Sequence, residues 1–218
     1  MHALNRNAVS VPPCLAAPPA GRSYGNLHGN EKAEIRDRLL DLQMHRCAYC
    51  ERRTGEEKDE GHIEHFRNQA GHDHLSLAWD NMFWSCNDER TCGKHKDKCK
   101  RKSGNRAAFD PNDLIDPCKD DPNNFLFFVV DGTVRPREGL DAVNLRRAQE
   151  TLRVFQLADS AYLRKSREDA VKPYVGAINS LLSAGADLVV RYVKSEVAKI
   201  DSAPFATTIR QYLEGILA

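Results

Sequence analysis

The sequence predicts an α+β fold, mainly α. Three observations lead there: short strand-like runs near residues 61–66 and 79–84, a hairpin signal near residue 131, and helical periodicity from Leu140 onward. With 218 residues, 41% hydrophobic and 29% charged, the chain suffices for one sizeable core or two small units side by side. The longest apolar stretches, such as Phe125 to Val130, fall far short of the ~20 residues of a membrane-spanning helix, and residues 1–29 lack a signal peptide's apolar centre. A cytoplasmic protein with no membrane partner is expected. A net charge of +1 excludes a strongly basic architectural protein.

Residues 1–29 hold two proline pairs, Pro12-Pro13 and Pro18-Pro19, without apolar periodicity, which predicts an extended N-terminal arm, either passive or partner-binding. Ile35, Leu39 and Leu42, spaced i, i+4, i+7 behind a capping Asn30, predict an amphipathic helix running into Cys47. Residues 30–109 are read as one domain, dense in Cys, His, Lys and Arg. Residues 110–139 form a connecting segment in which the run Phe125 to Val130, a two-residue Asp131-Gly132 turn and Thr133-Val134 predict a β-hairpin. Residues 140–218 carry four helical stripes: Leu145, Ala148, Leu152, Phe155; Val171, Val175, Ile178, Leu182; Val189, Val193, Val197; and Phe205, Ile209, Tyr212, Ile216. Pro173 should start or kink the second of these helices.

Seven cysteines in a chain with no export signal argue against a disulfide framework and for metal binding. Cys47-Ala48-Tyr49-Cys50 can bite one tetrahedral zinc, and Cys86 with Cys92 would close a four-thiolate structural site. Cys99, seven residues further on, could replace Cys92; Cys14 and Cys118 read as bystanders. Zinc would add folding free energy on the order of 10 kcal/mol to a segment with little apolar surface of its own.

Between the two cysteine pairs lie Gly61-His62-Ile63-Glu64-His65-Phe66 and Trp79-Asp80-Asn81-Met82-Phe83-Trp84, both read as strands. In the first, Ile63 and His65 share one face and Glu64 and Phe66 the other. Cys92-Gly93-Lys94-His95-Lys96 then opens a short helix. Strand, loop, strand, helix with His, Asn and His in that order is the layout of a ββα-metal nuclease site. His62, His72 and His74 read as solvated loop histidines, and Trp79, Phe83 and Trp84 as the small core of the unit.

These motifs, Cys-Ala-Tyr-Cys-Glu at 47–51, Ile-Glu-His-Phe-Arg at 63–67, Trp-x-Asn at 79–81 and Cys-Gly-Lys-His-Lys at 92–96, resemble the HNH endonucleases, specifically the HNH component of Septu-type antiphage systems. The resemblance extends over about residues 31–175. The sequence departs from the pattern at Asn68-Gln69, where Pro-Lys is expected, and at Gly93, where many HNH proteins carry Asn or His. His95 is therefore taken as the third active-site member.

Hydrolysing a phosphodiester needs a base for water and a divalent cation for the charge on phosphate and leaving oxygen. His65 fits the base, since a neutral imidazole accepts a proton at cellular pH. Glu64 and His95 would hold the catalytic metal, Mg²⁺ or Mn²⁺, with Asn81 as ligand or loop brace. Residues 90–106 carry Arg90, Lys94, Lys96, Lys98, Lys100, Arg101, Lys102 and Arg106 against Asp97 alone, so Lys94, Lys96, Lys98, Lys100, Arg101 and Lys102 form a candidate phosphate track, with Arg67 gripping the scissile phosphate.

The resemblance implies nucleic acid as substrate, with DNA as default and structured RNA such as tRNA as the alternative. It also implies control by an ATPase partner related to ABC and SMC proteins (PtuA in Septu systems) and, in retrons, association with a reverse transcriptase and its multicopy single-stranded DNA. The competing reading is a catalytically inactive, zinc-stabilised nucleic-acid-binding adaptor.

Overall fold

The computed structural model describes residues 1–18, 21–55, 59–99, 104 and 107–217. The fold is α+β and mainly helical. In chain order the elements are α1 (Pro13–Ala16), α2 (Gly29–Leu42), β1 (Gly61–His65), β2 (Met82–Cys86), α3 (Cys92–Lys98), β3 (Leu126–Phe128), β4 (Val134–Pro136), α4 (Ala142–Val154), α5 (Ala161–Leu182), α6 (Ala186–Val197) and α7 (Ala206–Leu217). Among the described residues, no helix is long and apolar enough to cross a membrane.

Helix α2 buries Ile35, Leu39, Leu40 and Leu42 on one face. It starts one residue before the expected cap: His28 is the N-cap, and its backbone N–H donates to Glu31 Oε2 at 2.8 Å in a capping box. Past its end, Met44 and His45 both take left-handed φ angles of 51° and 55°, which turns the chain back toward Cys47. Gln43 pins that turn to β2: its Nε2 donates to the carbonyls of Arg46 and Trp84, and its Oε1 accepts from Trp84 N at 2.8 Å.

β1 and β2 pair antiparallel, with Ile63 opposite Trp84 and His65 opposite Met82. The second strand is shorter than its apolar run suggested, because Trp79–Asn81 forms a 3-10 turn and pairing starts at Met82. Every residue of β2 is buried, so this strand is the spine of the site. The hairpin β3–β4 is present, but its loop is longer than two residues. Val129 N donates to Thr133 O and Gly132 N to Val129 O, which makes a three-residue turn with Gly132 at φ 80°. A side chain there would also collide with the Arg164 carbonyl, 1.9 Å from the position of a Cβ.

All four helical stripes form helices. α5 runs through Pro173 unbroken for 22 residues, where a start or kink was expected. Two apolar clusters result. The larger gathers α2, β1 through β4 and α4; the second joins Val171, Ile178, Val189, Val193, Ile200, Ile209 and Leu213 of the C-terminal helices. Residues 1–29 differ most from expectation. Rather than extending away, this arm buries Leu4, Leu15 and Leu27, and the Arg6 guanidinium lies over the rings of Trp79 and Phe83 while bonding Met82 O.

Candidate functional site

The sulfurs of Cys47, Cys50, Cys86 and Cys92 lie within 4.8 Å of one another, all buried. Cys50 and Cys86 are 3.9 Å apart, too far for a disulfide and close to the ~3.8 Å edge of a zinc–thiolate tetrahedron with ~2.3 Å bonds. A two-residue spacing brings the first pair together because Glu51 N closes the turn on Cys47 O and Glu51 itself adopts φ 63°. The second pair is set by β2, which ends at Cys86, and by Cys92 N, which donates to the Phe155 carbonyl at 2.9 Å. Burial resists charging the sulfurs, yet hydrogen bonds from Cys50, Cys86 and Cys92 push the Cys47 thiol well below its ordinary value. Such a set can hold a structural metal such as zinc. Cys99 does not belong to it; its sulfur lies against His95, 3.4 Å from that carbonyl.

His65 ends β1 at the wall of a cavity of about 290 Å³, shared with His62, Glu64, Asn68, Gln69 and Asp97. Its Nε2 lies 3.0 Å from the Ser76 carbonyl, which can only accept, so Nε2 carries the hydrogen and Nδ1 the lone pair. Gln69 Nε2 donates to that lone pair at 3.1 Å, and Tyr24 from the arm packs edge-on at 4.8 Å between ring centres. Burial pushes the imidazole below its ordinary value, against opposing pulls from the Ser76 carbonyl and Glu64. His65 is therefore a neutral, oriented acceptor.

Glu64 is buried and ionised: its carboxyl lies below the ordinary value, with the Lys96 ammonium the chief influence opposing desolvation. Lys96, expected on an exposed phosphate track, is fully buried. Its ammonium pairs with Glu64 and donates to the carbonyls of His65 at 2.6 Å and Phe66 at 3.3 Å and to Asn68 Oδ1. Four anionic or carbonyl partners close at hand make burial of this charge tolerable.

His95, the expected third member, faces elsewhere. Its Nδ1 donates to Val154 O at 2.9 Å, joining α3 to α4, and it is Lys96, one position later on α3, that reaches Glu64. Asn81 uses both ends of its amide on backbone: Oδ1 accepts from Arg67 N at 2.7 Å, and Nδ2 donates to Arg67 O and Leu75 O. It thus braces the loop between the strands. Neither residue is turned to the cavity, so the donor set of Glu64, Asn81 and His95 does not fit one catalytic ion. Among the described residues, the four cysteines form the one group of three or more such side chains close enough to share an ion.

Sequence reasoning missed Lys96 as a partner of Glu64 and set His62 aside. The signal for His62 was available: at i and i+2 on one strand, His62 and Glu64 share a face. Their Nε2 and Oε2 atoms are 3.5 Å apart. Of the basic run, Lys98 and Lys94 lie 2.6 Å and 3.8 Å from the Glu89 carboxylate, and Lys100, Arg101 and Lys102 lie outside the described residues. Arg67 donates to Asn112 Oδ1 at 2.7 Å, at the edge of the acidic segment 110–121.

No family model matches the sequence. The chain is 23% identical over 167 residues to the candidate HNH endonuclease of retron Vc95 from Vibrio cholerae serotype O1 biovar El Tor, covering 75% of this chain and 76% of that protein. It is 29% identical over 97 residues to the Septu protein PtuB of Bacillus thuringiensis, covering 44% of this chain and 33% of that one. Both names support the resemblance that the motifs suggested.

Proposed function

We propose that the chain is an HNH-type endonuclease that hydrolyses phosphodiester bonds in nucleic acid, as the effector of an antiphage defence system. The observation carrying this reading is the His65 imidazole, fixed as an Nε2–H tautomer by Ser76 O with its acceptor Nδ1 at a polar cavity beside a buried, ionised Glu64. The two similar proteins, one named for a retron and one for Septu, add independent support.

In this reading Nδ1 of His65 takes a proton from the attacking water, once water displaces the Gln69 amide from it. Glu64 would hold a divalent ion, Mg²⁺ or Mn²⁺, its hard oxygen being of the right kind; such an ion supplies charge neutralisation on the phosphate. Arg67, next in sequence to the cavity-lining Asn68, grips a phosphate oxygen after exchanging its neutral Asn112 partner for the anion. Lys94 and Lys98, with Lys100, Arg101 and Lys102, guide the backbone. No recognition helix or stacking platform is evident among the described residues, so choice of target falls to a partner, for which the family resemblance implies an ABC- or SMC-like ATPase and, in retrons, a reverse transcriptase with its single-stranded DNA. Duplex DNA is the favoured substrate, with tRNA as the alternative.

The adaptor reading draws on one specific observation, that Asn81 and His95 are both committed to backbone carbonyls or amides rather than to the cavity. A cleavage assay on duplex DNA and on tRNA, with and without the ATPase, separates the two. His65→Ala should abolish cleavage with zinc content unchanged; intact cutting by that variant would remove His65 from the mechanism.

A further inference from the structure

We propose that His62, and not His95, is the imidazole that shares a divalent ion with Glu64. The inference rests on the nuclease reading of this cavity and names the ligand that the reading leaves open.

The argument starts from Asn87, just past β2. Its Nδ2 donates to the carbonyls of Asp59 at 2.6 Å and Gly61 at 3.2 Å, so the amide orientation is fixed and Oδ1 points at His62 Nδ1, 2.9 Å away. An amide oxygen only accepts, hence Nδ1 carries the hydrogen. The lone pair of His62 is then on Nε2, which is buried, has no hydrogen-bond partner among the described residues, and faces Glu64 Oε2 at 3.5 Å. Two lone pairs cannot face each other at that distance unless something positive lies between them. Ligand atoms on a common ion with ~2.1 Å bonds stand roughly 3.0–3.4 Å apart, so the pair needs little adjustment to take one. A ligand histidine whose other ring nitrogen donates to a fixed oxygen is the usual arrangement around a bound ion.

Two further features agree. The Glu64 carboxylate can take this position because residue 93 is glycine: a Cβ there would come within 2.7 Å of Oε2. Lys96 takes the other oxygen, Oε1, and leaves Oε2 available. Around the cavity Glu64 and Asp97 oppose Lys96, a net charge of −1 that favours a dication.

The test is Mn²⁺ binding to the full-length, zinc-loaded protein, followed by electron paramagnetic resonance and titration calorimetry. Wild type should bind about one Mn²⁺; His62→Ala, and Asn87→Ala through loss of ring orientation, should weaken it about tenfold or more, while His95→Ala leaves it unchanged. A second readout is the directly bound nitrogen in pulsed electron paramagnetic resonance of the Mn²⁺ protein, whose coupling should vanish in His62→Ala and persist in His95→Ala. Absence of Mn²⁺ binding, which would mean that a proton bridges the pair, overturns the proposal, as does wild-type affinity in a folded His62→Ala or a nitrogen coupling lost in His95→Ala instead. None of these readouts uses cleavage, so a protein that binds Mn²⁺ through His62 yet cuts nothing would defeat the nuclease reading alone.

Discussion

The Lys96 ammonium lies fully buried against the Glu64 carboxylate, held on its other sides by the main-chain oxygens of His65 and Phe66. The contact joins helix α3 to strand β1 and keeps a carboxylate ionised in a place water scarcely reaches.

Removing one partner strands the other charge. Lys96→Met is expected to destabilise the zinc-loaded protein by about 3–5 kcal/mol, and the double variant Lys96→Met/Glu64→Gln should recover a large part of that loss. Urea denaturation measures both. A Lys96→Met protein as stable as wild type would mean the pair contributes nothing.

The cysteine cluster predicts that folded protein carries about one tightly held zinc, with Cys47→Ser losing both the metal and most of the folded population. Elemental analysis and circular dichroism report on each. Folded, zinc-free protein is the outcome that would sink the assignment.

Burial sets the sign of the His65 titration. Its folded value lies below the ordinary 6.5, so the base form persists into mildly acid solution and the acid limb of kcat/KM should fall below pH 6.5. The same depression costs stability on acidification: the unfolded chain takes up the proton first as pH drops through 6.5, and the penalty grows until the folded value is reached. A His65→Gln variant should lose this component of the stability profile. An acid limb above pH 6.5 would contradict the environment described.

Gln69 donates to the lone pair that must accept water's proton. Gln69→Ala should raise the cleavage rate a few-fold, the equivalent of about 1 kcal/mol for one neutral hydrogen bond. A fall in kcat with KM unchanged would instead give Gln69 a positive part in the transition state.

Cleavage should weaken steeply between low and physiological salt, since phosphate contacts release counterions. Arg67→Ala should lower affinity on every sequence alike. Salt-insensitive cutting would exclude the basic run as the binding surface.

Much of the architecture was legible because its signals are local. The four cysteines announce themselves by spacing, the first strand by alternation and the second by its apolar run, the C-terminal helices by their stripes. What was not legible depends on rotation and on distant backbone. Which of His95 and Lys96 faces Glu64 is a matter of about 100° around α3, and that angle is set by contacts with Phe155 and Val154, some sixty residues away. His62, which the sequence groups with solvated loop histidines, lies on β1 and shares a face with Glu64. Leu4, Leu15 and Leu27 share no period that would signal burial, yet all three join the larger apolar cluster.

The bond from Cys92 N to the Phe155 carbonyl, with Tyr49 stacked on the Phe155 ring at 3.9 Å, ties one of the four clustered cysteines to the end of α4. The cysteine cluster and the helix α4 therefore share an anchor. A metal held by the four sulfurs would brace α4 through it, and a pull on α4 would be felt at the sulfurs.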